Sequence, residues 1–303
     1  MLADMSWRHR LPSVPRCPAN GQVAPTNVGQ SPRSRHAWLC ALRCIAPRTR
    51  EIGRALAVVL ALLAGEVAAK DSDSVTGVCP TARFLVAVDV GHHLAAPGAT
   101  SATGRTEYAF NRDLAGRLVD QLHQAGVTGA FLVEETGRPI DLWARPRLAR
   151  DRGAHVFLSI HHDSVQPHYL ETWVHEGRER RHTDRFQGHS LFVSSKNLYL
   201  EDSLALARAI GRALRSWGLT PSLHHAEPIP GENRPLLDKD LGIHDFADLV
   251  VLKAAPMPAL LVEAGIIVNR AEERRLRDPF HQDMLIDAMV SGLLEACPAL
   301  VER

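Results

Sequence analysis

Three polar residues lie where apolar runs end in this sequence. His92, His161 and Glu263 each follow a near-continuous apolar run of the kind that predicts a strand buried on both faces. Open α/β sheets place their ligands just beyond the carboxyl ends of the strands. A fourth residue, Glu107, comes at the first turn of a predicted helix, within reach of the loop that follows His92. We therefore expect these four side chains to meet at one edge of a sheet.

Their chemical types match a catalytic zinc site. Two imidazoles and one carboxylate, with one coordination position left open, are a common ligand set for catalytic zinc. A second carboxylate that does not bind the metal can then act as a general base towards water. The spacing also allows a plainer interpretation, in which each histidine is a hydrogen-bonded structural residue at a strand end.

The local sequences around these residues form four motifs. They are DVGH at 89–92, Glu107 about fifteen residues later, SIHHD at 159–163, and LVEAG at 261–265 with Asn269 four residues on. In this order they resemble the zinc-dependent N-acetylmuramoyl-L-alanine amidases of the amidase-3 family. That family shows a D-x-G-H-G-G start, a glutamate, an S-I-H-x-N strand end and an L-V-E-x-G-F-x-x-N segment. The resemblance covers about residues 84–297.

The resemblance implies a role for each matching residue. His92, Glu107 and His161 correspond to the family's zinc ligands, which implies one Zn²⁺ per chain, and Glu263 corresponds to its catalytic carboxylate. Arg145 corresponds to an arginine in the helix before the S-I-H strand, with a role that the resemblance leaves open. The implied reaction is hydrolysis of the amide between N-acetylmuramic acid and L-alanine, with peptidoglycan or muropeptides as substrate. Because the sequence contains no recognisable wall-targeting repeat, recruitment to the wall falls either to the catalytic domain itself or to an unseen protein activator.

The sequence departs from the family pattern at several positions. His93 replaces a glycine, and His162-Asp163 replaces a small residue and an asparagine. Because adjacent strand residues point to opposite faces, only one of His161 and His162 faces the cleft, and the motif favours His161. His93 is a candidate for narrowing the cleft or touching substrate. Asp89 either orients a ligand imidazole or stabilises the turn.

Two other functions stay open at this point. One is a related zinc amidase or peptidase that cuts a different amide bond. The other is a non-catalytic cell-wall binding module on the same fold, which is disfavoured because Glu263 and the three ligand candidates are all retained.

Strands alternate with amphipathic helices from residue 84 to 297, which predicts one α/β domain. We expect a mixed sheet of about six strands with helices on both faces. Residues 70–83 are expected to form a flexible segment, 165–187 a charged surface excursion, and 219–240, with four prolines, a loop. Helices are predicted over 139–152, 201–217, 246–254 and 279–296, besides the one that begins at Glu107.

Residues 1–69 are interpreted as a lead rather than a domain. The apolar run at 55–64 follows arginines and precedes small residues, which is the layout of a secretory signal peptide cleaved near Ala69. The run is shorter than the ~20 residues of an ordinary membrane span, although an uncleaved anchor or a buried helix is an alternative. The long stretch before it suggests that translation starts between about residues 39 and 50. We therefore expect an exported protein, periplasmic or extracellular.

The distribution of charge argues against nucleic acid as a partner. The chain of 303 residues has a net charge of +1, but residues 1–69 hold nine arginines against three acidic residues. The predicted domain is therefore acidic overall, whereas a nucleic-acid binder needs its basic surplus on the folded part.

The predicted mature chain keeps two cysteines, Cys79 and Cys297, after Cys17, Cys40 and Cys44 are lost with the lead. In an oxidising compartment these two either form a disulfide or remain free thiols. The remaining candidate histidines are expected at the surface and not on a metal: His168, His175, His182, His189, His224 and His225.

Overall fold

The structure is a computed structural model that describes residues 77–302. The predicted lead, its signal peptide, three of the five cysteines and the first half of segment 70–83 lie outside the described residues. Two sheets form. The larger has seven strands in the order β2-β1-β3-β9-β6-β8-β7, and the smaller is the hairpin β4-β5. Their bounds are β1 Val86–Val90, β2 Phe131–Leu132, β3 Val156–Asp163, β4 Glu171–His175, β5 Arg178–His182, β6 Ser190–Val193, β7 Leu236–Asp238, β8 Ile243–Asp245 and β9 Ala259–Ile266.

Six α-helices accompany the sheets. They are α1 Glu107–Gln124, α2 Ala144–Asp151, α3 Leu200–Ser216, α4 Val250–Lys253, α5 Arg270–Leu276 and α6 Pro279–Val301. The predicted mixed α/β fold is confirmed, with seven strands rather than about six. Strands β2, β1, β3 and β9 run parallel, and β6 joins β9 antiparallel. The carboxyl ends of β1, β3 and β9 therefore meet at one edge of the sheet.

Two apolar layers hold the sheet between helices. On one face the periodic leucines of α1, among them Leu114 and Leu118, pack with α3 and α6. These two leucines and Leu293 of α6 are all buried. On the other face α2 and α4 cover Phe157 and Leu261. Helix α6 is long and apolar enough to cross a membrane by length and composition alone, but most of it is buried inside the fold. It therefore serves here as a core helix.

The structure adds detail to two predicted segments. Segment 165–187, expected as a charged surface excursion, contains the hairpin β4-β5, and the predicted loop 219–240 contains the short edge strand β7. Helix α5 follows Asn269, whose side chain caps its first turn, and was not predicted. Pro146 fits within α2 because it is the third helical residue, where an N–H group would have no intrahelical acceptor and its absence costs nothing.

A disulfide joins Cys79 to Cys297, with the Cα atoms 5.3 Å apart. It ties the segment before β1 to the carboxyl end of α6, which settles the open choice between a bridge and two free thiols in favour of the bridge. The bond spans 218 residues of chain.

Candidate active site

Glu107 is the centre of the site. His92 Nε2 lies 3.0 Å from one carboxylate oxygen, Oε2, and His161 Nδ1 lies 3.0 Å from the other, Oε1. The backbone N–H of Ala99 donates to Oε2 at 3.0 Å, and Asn111 Nδ2 donates to Oε1 at 3.3 Å. The structure therefore brings together all three predicted ligand residues, although they are separated by up to 69 positions in the sequence.

The local chain conformation lets these side chains approach closely. His92 adopts a left-handed backbone conformation with φ of 68°, a rare conformation for a residue with a side chain. A Cβ atom on Gly91 would collide with the His161 ring, and one on Gly98 would collide with Glu107 and His92. Gly91 and Gly98 thus leave the space that the ligand set occupies.

The electrostatics of this cluster favour a cation. Burial alone would raise the pKa of Glu107, but the hydrogen bonds from His161 and His92 hold it well below its usual range. The ligand atoms of the three residues all lie within 4.8 Å of one another. Two imidazole nitrogens and a carboxylate oxygen at such separations are a donor set that suits zinc.

Glu263 lies beside this cluster. It pairs in register with His161 across β3 and β9, so the two side chains share a face of the sheet. Its Oε2 is enclosed and has no hydrogen-bond partner. Burial, together with the carboxylates of Asp163 and Glu107, raises the pKa of Glu263 well above its ordinary value. A carboxyl with a raised pKa and a free oxygen is suited to taking up and releasing a proton.

His161 and His162 occupy different environments. His161 contacts Glu107, whereas His162 Nδ1 lies 2.8 Å from Asn111 Oδ1 and its ring packs against Phe110 on the helical face. His162 is buried, and this burial lowers its pKa to about 3. It is therefore a neutral core side chain that holds Asn111, which in turn donates to Glu107.

Arg145 and Asp89 stabilise the turn that contains His92 through buried hydrogen bonds. Arg145 Nη1 donates to Asp89 Oδ1 at 2.8 Å and its Nη2 donates to the carbonyl of His92 at 2.7 Å. The second oxygen of Asp89 accepts from Ser159 Oγ at 2.8 Å. Asp89 thus acts on the turn through Arg145, which favours turn stabilisation over orientation of a ligand imidazole. His93 instead accepts a bond from the Ala96 N–H within its own turn.

Asn111 was missed at the sequence level, although its spacing offered a signal. Residues four apart on a helix share a face, so position 111 had to follow Glu107 towards the sheet edge. The expectation of surface histidines is wrong for four of six, because His182, His189, His224 and His225 are all buried. Burial opposes protonation of His225, but the carboxylates of Asp163 and Glu232 raise its pKa to about 9.

Comparisons with known proteins point to one family of enzymes. Residues 86–295 match the amidase-3 family model, described as N-acetylmuramoyl-L-alanine amidase. The chain is 24% identical over 218 residues to a Buchnera aphidicola protein assigned to the same amidases, covering 67% of this chain and 91% of that protein. It is 24% identical over 235 residues to the amidase AmiC of Escherichia coli, covering 69% of this chain and 52% of AmiC. The chain therefore matches about half the length of that relative.

A similarity of fold extends to solved structures. The crystal structure of the N-acetylmuramyl-L-alanine amidase Ami1 from Mycobacterium smegmatis superposes with a TM-score of 0.56 at 18% identity. That match covers 74% of this chain and 100% of the Ami1 chain. At this level of identity the comparison establishes a shared fold.

Proposed function

The chain belongs to the amidase-3 family of N-acetylmuramoyl-L-alanine amidases, and from this membership we propose that it is a zinc-dependent hydrolase of peptidoglycan. The bond cleaved is the amide between N-acetylmuramic acid and L-alanine, so that the stem peptide leaves the glycan. The observation that supports this most is the convergence of His92, Glu107 and His161 beside Glu263, whose enclosed oxygen has no partner.

His92, Glu107 and His161 would hold one zinc ion. The fit is supported by the mixed nitrogen and oxygen donors and by the space that Gly91 and Gly98 leave beside them. A bound zinc ion lowers the pKa of water towards ~7 and polarises a carbonyl.

Side chains and backbone groups of the protein transfer the protons and hold the ligand residues in place. Glu263 removes a proton from the attacking water and, once protonated, passes it to the leaving alanine nitrogen. The raised pKa of Glu263 favours the second step, since a carboxyl that retains its proton is an effective acid near neutral pH. Asn111 and the Ala99 N–H hold the Glu107 carboxylate, and Arg145 holds the His92 carbonyl. Removal of such supporting bonds typically costs about 10–100-fold in metal affinity or activity.

We place the protein outside the cytoplasm, in the periplasm or the extracellular space. The apolar run at 55–64 supports this, as does the Cys79–Cys297 disulfide, because such bonds persist in oxidising compartments. Peptidoglycan lies in the same compartments.

A digest with a matched pair of variants tests the proposal. Purified protein is loaded with zinc and given peptidoglycan, and the products are identified by mass. We expect free peptides that begin with L-alanine, and glycan whose lactyl groups end in free carboxylates. Glu263→Gln should keep its zinc, measured by elemental analysis, but lose about 10²–10⁴-fold in rate. The control Glu295→Gln removes an exposed carboxylate that pairs with Arg212 and should keep the full rate.

Other results would point elsewhere. Products cut at a different amide would identify a related amidase or peptidase. Binding to the cell wall without any cleavage would identify a non-catalytic module. A Glu263→Gln variant that digests peptidoglycan at the original rate would remove Glu263 from the chemistry.

A further inference from the structure

A second cluster of metal-ligating side chains lies at the same edge of the sheet. Asp163 is the last residue of β3, two positions after His161, and His224 and His225 form a 3-10 turn in the loop between α3 and β7. Their ligand atoms all lie within 4.8 Å of one another. The family pattern has an asparagine at the position of Asp163, so this cluster is a departure from that pattern rather than part of it.

Each imidazole directs its Nε2 towards Asp163 Oδ2. His225 Nε2 lies 2.8 Å from Asp163 Oδ2, and His224 Nε2 lies 3.3 Å from that atom. The two rings lie side by side, with centroids 3.9 Å apart. The two Nε2 atoms and Asp163 Oδ2 thus lie close enough together to bind one ion.

The opposite nitrogen of each ring is already engaged. His224 Nδ1 lies 2.9 Å from Ser222 Oγ, and His225 Nδ1 lies 2.8 Å from Glu232 Oε2. Glu232 is itself held by Gln166 and Arg234. Metal-binding histidines are oriented in this way, with one nitrogen bonded to a carboxylate or hydroxyl and the other left for the ion. The surroundings of this cluster therefore resemble those of a metal site.

One of the presented nitrogens has no hydrogen-bond partner. The His224 side chain is only 1% exposed, and its Nε2 makes no hydrogen bond, although Asp163 Oδ2 lies 3.3 Å away. Burial of a ring nitrogen without such a partner lowers the stability of the folded protein. A metal ion bound between Asp163, His224 and His225 would provide His224 Nε2 with a partner.

We propose that Asp163, His224 and His225 form a second metal site, which takes a divalent transition-metal ion of the zinc class. Two imidazoles with one carboxylate favour zinc and its neighbours over magnesium or calcium, which prefer oxygen ligands. The ion would attach the loop 219–240, which supplies two of the ligands, to the carboxyl end of β3. This site is separate from the one formed by His92, Glu107 and His161, and it does not depend on the reaction proposed above.

Metal counting on untagged full-length protein tests the inference. Protein is equilibrated with Zn²⁺, dialysed, and its zinc per chain is measured by elemental analysis. We expect Asp163→Asn and His225→Ala each to lose one ion relative to the unmodified protein. The exposed control His168→Ala should lose none. His92→Ala should lose a different ion, so that His92→Ala combined with Asp163→Asn loses two.

The outcomes separate the two sites. If Asp163→Asn and His225→Ala keep as much zinc as the unmodified protein, the second site is refuted, and the cluster is an ion pair of protonated His225 with Asp163 and Glu232. If His92→Ala keeps all its zinc while Asp163→Asn and His225→Ala each lose one ion, the second site stands and the catalytic zinc assignment falls. Circular dichroism confirms folding, and Asp163→Asn keeps the size of the side chain, so a loss of zinc in a folded variant cannot come from unfolding.

Discussion

The imidazole of His161 occupies the space that a Cβ atom on Gly91 would fill. Gly91 follows β1 directly, and its N–H donates to the carbonyl of Ile160 at 3.0 Å, so the turn and the β3 strand end are joined by backbone as well. Close approach of backbone to a functional side chain is a common reason for glycine at such a position. The glycine in this motif therefore has a steric role in the site.

Gly91→Ala should displace His161 and weaken zinc binding. We expect a loss of about 10–100-fold in zinc affinity, comparable to other changes that disturb the support of a ligand. Unfolding in denaturant should also show a cost of about 1–3 kcal/mol from overpacking. The measurements are zinc titration against a competing chelator and urea denaturation.

Gly116→Ala is the matched control. Gly116 lies inside α1, and no neighbouring atom comes within 4 Å of the position that its Cβ would take, so alanine fits there. This variant should bind zinc normally and gain about 0.5–1 kcal/mol in stability, as glycine-to-alanine changes do within helices. Equal zinc affinity in both variants would contradict the steric role of Gly91.

The paired histidines should differ in metal binding. His161→Ala removes a proposed ligand and should abolish zinc binding at the first site. His162→Ala removes a core contact with Phe110 and Asn111, and should lower stability while retaining zinc. Elemental analysis of both variants, with circular dichroism for folding, distinguishes them. The reverse result would mean that His162 is the ligand.

Much of this site was predictable because its residues follow local patterns. Apolar runs indicated the ends of β1, β3 and β9, and therefore the positions of His92, His161 and Glu263. The first turn of the predicted helix α1 located Glu107. Each of these signals lies within a few residues of the side chain that it predicts.

The missed features depend on contacts between distant segments. His225 meets Asp163 across 62 positions, and nothing in the proline-rich sequence around His225 indicates which strand it packs against. Strand β7 has only three residues and pairs at the edge of the sheet, so it has no period to detect. Arg145 forms its bonds with the turn through tertiary packing of α2, which local spacing does not encode.

The hairpin β4-β5 should affect the use of polymeric substrate. It packs on the loop that leads into Glu107, since Trp173 Nε1 donates to the Ala102 carbonyl at 3.0 Å and Arg180 lies over Gly104. Its outer face is exposed, including Val174. Replacing residues 174–179 with a Gly-Ser turn keeps Trp173 and Arg180 but removes that outer part.

We expect this change to raise KM for peptidoglycan by about tenfold, which corresponds to about 1.4 kcal/mol of lost binding. The KM for a small soluble muropeptide and the zinc content should stay the same. Steady-state kinetics on both substrates provide the measurement. Equal KM values for peptidoglycan before and after the replacement would make the hairpin tip a solvated loop without a role in binding.

Acid should destabilise the fold partly through His189. This residue is 2% exposed, and its Nε2 has no hydrogen-bond partner. Burial lowers the pKa of His189 to about 4, against a weaker opposing effect of a backbone hydrogen bond at Leu241. The titratable or charged groups that line the same cavity are Glu272, Arg275 and His281.

The direction of the effect follows from proton binding. Below about pH 6.5 the unfolded chain protonates this histidine, whereas the folded chain does so only near pH 4, so unfolding takes up a proton in that window. Stability should therefore fall as the pH drops from about 6.5 to about 4, by up to about 3 kcal/mol from this residue. His189→Gln, which cannot titrate, should show a shallower fall in urea denaturation across this range, while the exposed control His168→Gln should follow the unmodified protein. If His189→Gln loses stability as steeply as the unmodified protein, the acid sensitivity arises from other groups.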